Sequence, residues 1–195
     1  MTTPQPGKLV VVSGPSGVGK STVVAKVLKR FGGRLRLSIS ATTRLPRPGE
    51  QDGVDYHFLE MAEFQRRRAA GEFLECIEVF GQGHWYGTLW SEVGPSLEAG
   101  KWVLLEIDVA GAKEVLARVS EAVTIFIQPD SLEELERRLR SRGTEQEVAI
   151  QRRLDVARRE LALADQYQHR VVNDTVAEAV DEICQILQDR GLLND

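Results

Sequence analysis

The chain has 195 residues, 42% hydrophobic and 28% charged, with a formal net charge of −4 at pH 7. Those proportions suit one compact globular unit that buries a core without staples, and the negative balance argues against a general nucleic-acid binder. Cys76 and Cys184 lack metal-ligand spacing, no apolar run reaches membrane-span length, and Met1 to Lys8 carries no signal-peptide core, so a cytoplasmic protein without a membrane partner is expected.

Residues 8 to 31 read as strand, loop and helix. Leu9 to Val12 is a short β-branched run of the kind found in buried parallel strands. Gly14, Pro15, Ser16, Gly17, Val18, Gly19, Lys20 and Ser21 then match the G-x-x-x-x-G-K-[ST] phosphate loop at every fixed position. From Ser21 and Thr22 onward, Val23, Val24, Val27, Leu28 and Phe31 recur at helical spacing. Strand before and helix after is the context this motif requires. Glycines let the backbone turn tightly and aim N–H groups at an anion, and the helix N-terminus adds partial positive charge. Lys20 is then placed for the β- and γ-phosphates of a nucleotide, and the Ser21 hydroxyl for Mg²⁺.

Arg34 to Ile39 reads as a second strand. The stretch from Ser38 to Glu50 holds two prolines and a glycine, which exclude a regular helix and present Arg44 and Arg47 from a loop. Two readings stay open for that pair: a solvated basic turn, or an anion site beside the nearby hydroxyls. Asp52-Gly53 signals a turn, and Val54 to Phe58 alternates like a short strand. Met61 to Ala70 is expected as a helix ended by Gly71, with Phe64 inside and Arg66, Arg67 and Arg68 on a wet face. Phe73 to Phe80 reads as a strand in which apolar neighbours surround Glu75, aiming it into a cleft. Gly81-Gln82-Gly83 is a turn, and His84 to Thr88 returns. The block 38–90 lacks the strand–helix alternation of its flanks and reads as an inserted lobe.

The alternation then resumes. Trp102 to Ile107 is a buried strand ending at Asp108, and Val109 to Val119 is a helix. Ligands of open α/β sheets bind beyond the carboxyl ends of strands, where both Asp108 and the phosphate loop stand. Asp108 also suits a helix N-cap, and the two roles are compatible. Val123 to Ile127 is another buried strand. A helix opens at Asp130-Ser131 and carries Arg137, Arg138, Arg140 and Arg142. Gly143-Thr144-Glu145 breaks it. A long helix from about 146 to 165 carries Arg152, Arg153, Arg158 and Arg159. Composition alone favours solvated helices with internal ion pairs over a phosphate clamp. Val171 to Asn173 is a last short strand, and Thr175 to Arg190 an amphipathic helix with Ala179, Val180, Ile183 and Leu187 inward.

Together these segments resemble guanylate kinase, a nucleoside-monophosphate kinase family, from about Lys8 to the C-terminal helix. Beyond the phosphate loop, the likeness rests on Ser40 to Arg47, Asp55-Tyr56 with Phe73 to Glu75, Tyr86 to Thr88, Arg138-Leu139 with Arg142 to Glu145, and Val172 to Asp174. The resemblance implies a P-loop NTPase core, an α/β parallel sheet flanked by helices. It further implies a GMP-binding lobe (38–90) and a helical lid (130–159) on a core of 1–37, 91–129 and 160–195. It implies reversible, Mg²⁺-dependent phosphoryl transfer from ATP to GMP in purine nucleotide metabolism, with small-molecule substrates and no obligatory protein partner.

By position, the resemblance assigns the acceptor phosphate to Arg44, Arg47, Tyr56 and Tyr86. It assigns guanine to Ser40, Glu75, Thr88 and Asp108, the closing arginines to Arg138, Arg142 and Arg153, and contact near adenine to Asn173. The chemistry agrees. Guanine presents two donors, N1–H and the exocyclic amine, on one edge, and a carboxylate accepts both; adenine has an acceptor at N1. That set argues against adenylate or pyrimidine-monophosphate kinases and against a ribose-bisphosphate kinase. The intact phosphate loop argues against a phosphopeptide-binding module of the same fold. Two positions depart from the family pattern: Cys76 to Trp85 is longer, and Ala110 stands where many relatives carry glutamine.

Overall fold

The computed structural model describes residues 7–79, 83–141 and 147–193. The turn expected at Gly81-Gln82, the break at Gly143 to Glu145, and Arg142 lie outside the described residues.

Five parallel strands form the central sheet: β1 (Leu9–Ser13), β2 (Leu35–Leu37), β7 (Trp102–Glu106), β8 (Val123–Gln128) and β9 (His169–Val172), in the order β2-β7-β1-β8-β9. Strand β1 therefore sits in the middle, with Val12 beside Glu106 on one side and Ile125 on the other. Side chains alternate across a strand, so β1 feeds two cores. Val10 and Val12 pack with Val23, Val27 and Phe31 of α1 (Lys20–Phe31) and with Ile183 and Leu187 of α7 (Val176–Asp189). Leu9 and Val11 pack with Ala112 and Val115 of α4 (Val109–Arg118), and with Phe126 and Tyr167. Covered on both faces, the strands read as apolar runs rather than alternating ones. Each fully buried Val, Leu or Phe contributes roughly 1.5–3 kcal/mol.

A second, four-stranded sheet lies within residues 41–89. Its order is β4-β3-β6-β5, made of β3 (Ala41–Thr42), β4 (His57–Phe58), β5 (Phe73–Val79) and β6 (His84–Leu89). Helix α2 (Met61–Ala69) packs Phe64 against Phe73, ring centroids 4.5 Å apart. Of its three arginines, Arg66 and Arg67 pair with Glu63, and Arg68 lies 4.4 Å over the Trp85 ring. Gly71 has φ +73°, as the helix stop requires. The remaining helices are α3 (Trp90–Glu98), α5 (Leu132–Ser141) and α6 (Glu147–Leu161), and the last two bury Leu135, Leu139, Ile150 and Leu154 against each other.

Two local expectations need correction, and one element was not anticipated. The second strand is shorter than Arg34 to Ile39, and the Val54 to Phe58 strand is confined to His57-Phe58. Helix α3 has no counterpart in the sequence reading, because Gly94 and Pro95 mask it. Pro95 falls in the second turn, where it forgoes the bond to the Ser91 carbonyl, and burial of Val93 and Ser96 anchors the helix despite that cost. Among the described residues no helix is long and apolar enough to cross a membrane.

Candidate nucleotide site

The phosphate loop leaves β1 at Ser13 and enters α1 at Lys20. Gly14 has φ +143°, and a Cβ there would lie 2.0 Å from the carbonyl oxygen of Ile127. Gly19 caps α1 in the left-handed conformation, φ +98°. Both positions therefore demand glycine. Val18 is fully buried, and its carbonyl accepts from Asn173 Nδ2 at 2.7 Å, tying the loop to the end of β9. Lys20 Nζ donates to the carbonyls of Gly14 (2.6 Å) and Pro15 (3.1 Å), so the ammonium lies inside the loop's curve. Burial pulls its pKa down, while the charges of Glu106, Glu160 and Asp108 act against that. Ser21 Oγ donates to Glu106 Oε1 at 2.5 Å. Thr22 follows on the exposed face of α1.

The arginine-rich helices divide into two kinds. Arg137, Arg140 and Arg158 make surface pairs with Glu134, with Glu136 and Glu147, and with Asp155. For these the solvated reading holds. Arg138 and Arg153 instead reach the phosphate loop. Arg138 donates to the carbonyls of Val18 (3.3 Å) and Asn173 (3.0 Å), and Arg153 donates to Ser16 Oγ at 2.8 Å.

A cavity of about 200 Å³ opens beside the loop. Lys20, Ser40, Tyr56, Glu75, Tyr86 and Asp108 line it, so six expected site residues from separate segments meet there. Glu75 and Thr88 face each other across the antiparallel β5–β6 pair, and Thr88 Oγ1 donates to Glu75 Oε1 at 2.8 Å. Asp108 caps α4 by accepting from the Gly111 amide at 2.8 Å while also lining the cavity, so capping does not take it away from that space. Glycine at 111 lets the helix end approach: a Cβ there would lie 3.0 Å from Glu75 Oε2. Burial raises the pKa of Glu75 to about 7, opposed by the Thr88 hydrogen bond and reinforced by the charge of Asp108. Burial also raises Asp108, against its bond from Gly111. Carboxylates held this way gain from any ligand that supplies hydrogen-bond donors.

At the outer wall Tyr56 and Tyr86 meet edge to face, centroids 5.9 Å apart. Arg44 Nε donates to the Tyr86 hydroxyl at 3.1 Å, and its guanidinium lies 5.3 Å from the Tyr56 ring centre. Glu50 accepts both Arg44 Nη atoms, at 2.9 and 3.0 Å. Arg47 is exposed; its backbone amide donates to the Glu50 carboxylate at 2.7 Å and its carbonyl accepts from the Glu50 amide at 3.0 Å, and its guanidinium does not line the cavity.

Sequence reasoning missed three acids. Glu106 was discoverable, as a carboxylate at the carboxyl end of a buried strand two residues before Asp108. Glu50 gains meaning only from the fold of its loop onto Arg44. Glu160 reads as an ordinary helix-surface residue. Yet its Oε2 is buried without a hydrogen-bond partner among the described residues, and burial raises its pKa to about 7, opposed by Lys20.

A parallel sheet with a complete phosphate loop at its central strand, and a carboxylate-lined cavity beside it, defines a P-loop nucleotide-binding protein. Residues 6–190 match the guanylate kinase family model. A guanylate kinase from Rhodopirellula baltica is 55% identical over 189 residues, covering 96% of this chain and 90% of the relative. One from Thermobifida fusca is 50% identical over 183 residues, covering 94% and 92%. The crystal structure of guanylate kinase from Anaplasma phagocytophilum superposes with a TM-score of 0.79 at 34% identity, covering 97% of this chain and 88% of that one. The chain belongs to the guanylate kinase family.

Proposed function

We propose that this protein transfers the γ-phosphoryl group of MgATP reversibly to GMP, giving ADP and GDP. The observation that carries the reading is a single cavity lined by Lys20 of the phosphate loop and by Glu75 and Asp108. A phosphate-handling group and a donor-seeking carboxylate pair thus face the same space. Base recognition falls to Glu75 and Asp108, with Thr88 fixing the Glu75 carboxylate and Ser40 adding a hydroxyl. Guanine N1–H and its amine satisfy those buried acceptors, whereas adenine offers N1 as an acceptor to a carboxylate. Arg44, Tyr56 and Tyr86 hold the acceptor phosphate, with Arg47 joining from the exposed loop.

The donor nucleotide's phosphates lie along the amides of Gly14 to Ser21, with Asn173 behind the loop near adenine. Ser21 and Glu106 bring two oxygens together at the start of α1, which fits a hard cation that also takes phosphate oxygens and waters. Ser21 would hold Mg²⁺ there, and when bound the ion supplies charge neutralisation across the phosphates. The acceptor phosphate oxygen attacks in line and no covalent enzyme intermediate is needed. Lys20, Arg44, Arg138, Arg142 and Arg153 supply positive charge to the transferring group, and alignment provides much of the rate.

Segment 38–90 acts as the GMP-binding lobe and 130–159 as the lid, on a core of 1–37, 91–129 and 160–195. The separate second sheet and the self-contained α5–α6 packing support that division. Closure would exclude water that otherwise hydrolyses ATP. The substrates are small molecules, and a cytoplasmic setting accords with nucleotide metabolism. The test is ADP production from MgATP with GMP, AMP, CMP, UMP and ribose bisphosphate offered separately. Turnover with GMP far above the rest is expected. Turnover with the ribose bisphosphate alone would overturn the base-reading roles.

A further inference from the structure

A second cavity, of about 540 Å³, lies between α4 and the C-terminal half of α6. None of its lining residues lines the nucleotide cavity. Its size is that of a small-molecule site. Val109 and Leu116 of α4, Val156 of α6, and Leu163 and Tyr167 beyond it provide apolar walls.

Three of its charged groups have no hydrogen-bond or ion-pair partner among the described residues. Glu160 Oε2 is buried, and it has no hydrogen-bond partner among the described residues. Lys113 and Arg159 are exposed and line the same cavity, yet neither has an ion pair or hydrogen bond among the described residues. Neighbouring Arg158, by contrast, is paired with Asp155. A buried acceptor without a donor and two cations without an anion are complementary to one kind of molecule.

We propose that this cavity binds a small organic anion with a flat apolar body and an N–H group. The body packs between Val109, Leu116 and Val156. The N–H donates to Glu160 Oε2, and the anionic end meets Lys113 and Arg159. The site adjoins the nucleotide cavity without sharing a lining residue: Val109 and Ala110 form its edge just past Asp108, and Glu160 is within electrostatic reach of Lys20 and Asp108.

The test titrates the full chain with the isomer of anilinonaphthalene sulfonate whose secondary amine and sulfonate sit at opposite ends of the rings. That probe carries the apolar body, the N–H and the anion together, and its fluorescence reports burial. Saturable binding at one site is expected, retained in the presence of saturating GMP or MgATP. Val156→Trp, which fills the cavity, and Lys113→Glu, which reverses a rim charge, should each weaken it by about tenfold or more. Lys113→Glu lies on the surface away from the nucleotide cavity and should keep full phosphotransfer, which keeps the test valid if Val156→Trp fails to fold. Displacement of the probe by either nucleotide, unchanged affinity in Lys113→Glu, or no saturable binding would each overturn the proposal.

Discussion

Replacing Glu75 with glutamine should stabilise the free protein above neutral pH while weakening GMP. Glu75 is 3% exposed, and its Oε1 is already engaged by the Thr88 hydroxyl. Its pKa stands near 7 in the folded chain against 4.5 for the free group. Between those values the folded state holds a proton that the unfolded state has released, so stability falls as pH rises across that window. Well above pH 7 the full displacement sets a ceiling of about 3 kcal/mol, and below about pH 4.5 the cost vanishes. Glutamine keeps an acceptor for Thr88 and removes the charge, so it removes the cost. Denaturant unfolding of both proteins, followed by circular dichroism, should show near-equal stability at about pH 5. At about pH 9 the variant should be ahead by 1–3 kcal/mol, in order-of-magnitude terms. Titrating groups that do not act on Glu75, Glu160 included, are common to both chains and cancel in the difference; Asp108 and Glu114, whose charges raise Glu75, are relieved in the variant in the same direction. A variant no more stable than its parent at the higher pH would refute the claim that burial of this charge is costly. In the same variant GMP should lose affinity by about 1–3 kcal/mol, because one acceptor becomes a donor facing guanine N–H groups.

Lys20→Met should lower kcat by at least about 10²-fold with the fold intact, since it removes a charge aimed at the transferring group; steady-state kinetics beside a circular dichroism spectrum checks both parts. Arg44→Lys keeps a charge but loses the fork that engages Glu50 and Tyr86, so the KM for GMP should rise about tenfold or more. Gly14→Ala places a Cβ 2.0 Å from the Ile127 carbonyl at φ +143°, and thermal unfolding should show a loss of about 3 kcal/mol or more. Phe64→Ala removes a ring that is fully buried and stacked on Phe73; a cost of about 3–5 kcal/mol is expected in denaturant titration.

Local chemistry made some of this molecule legible from its residues. Strands β1, β7 and β8 announce themselves as short apolar runs, because a strand covered on both faces has no polar side to show. The phosphate loop is equally plain. Its function comes from consecutive backbone amides, so loop, strand and helix are contiguous in the chain. The ends of α2 and α7 follow from Gly71 and from Thr175, whose side chain accepts from the Glu178 amide.

Tertiary structure decided what contiguity does not carry. Strand β3 is two residues long and exists because β4 and β6 flank it, and α3 persists through Gly94 and Pro95 because its buried face packs. Eight arginines on α5, on α6 and between them look alike in sequence. Only the packing of those helices onto the loop turns Arg138 and Arg153 inward and leaves Arg137, Arg140 and Arg158 in surface pairs. Glu50, Glu106 and Glu160 acquire their roles the same way, because a carboxylate's chemistry is set by what burial and its neighbours do to its charge. Those neighbours need not be near in the chain: Arg44 is only six residues from Glu50, but Ser21 is 85 from Glu106.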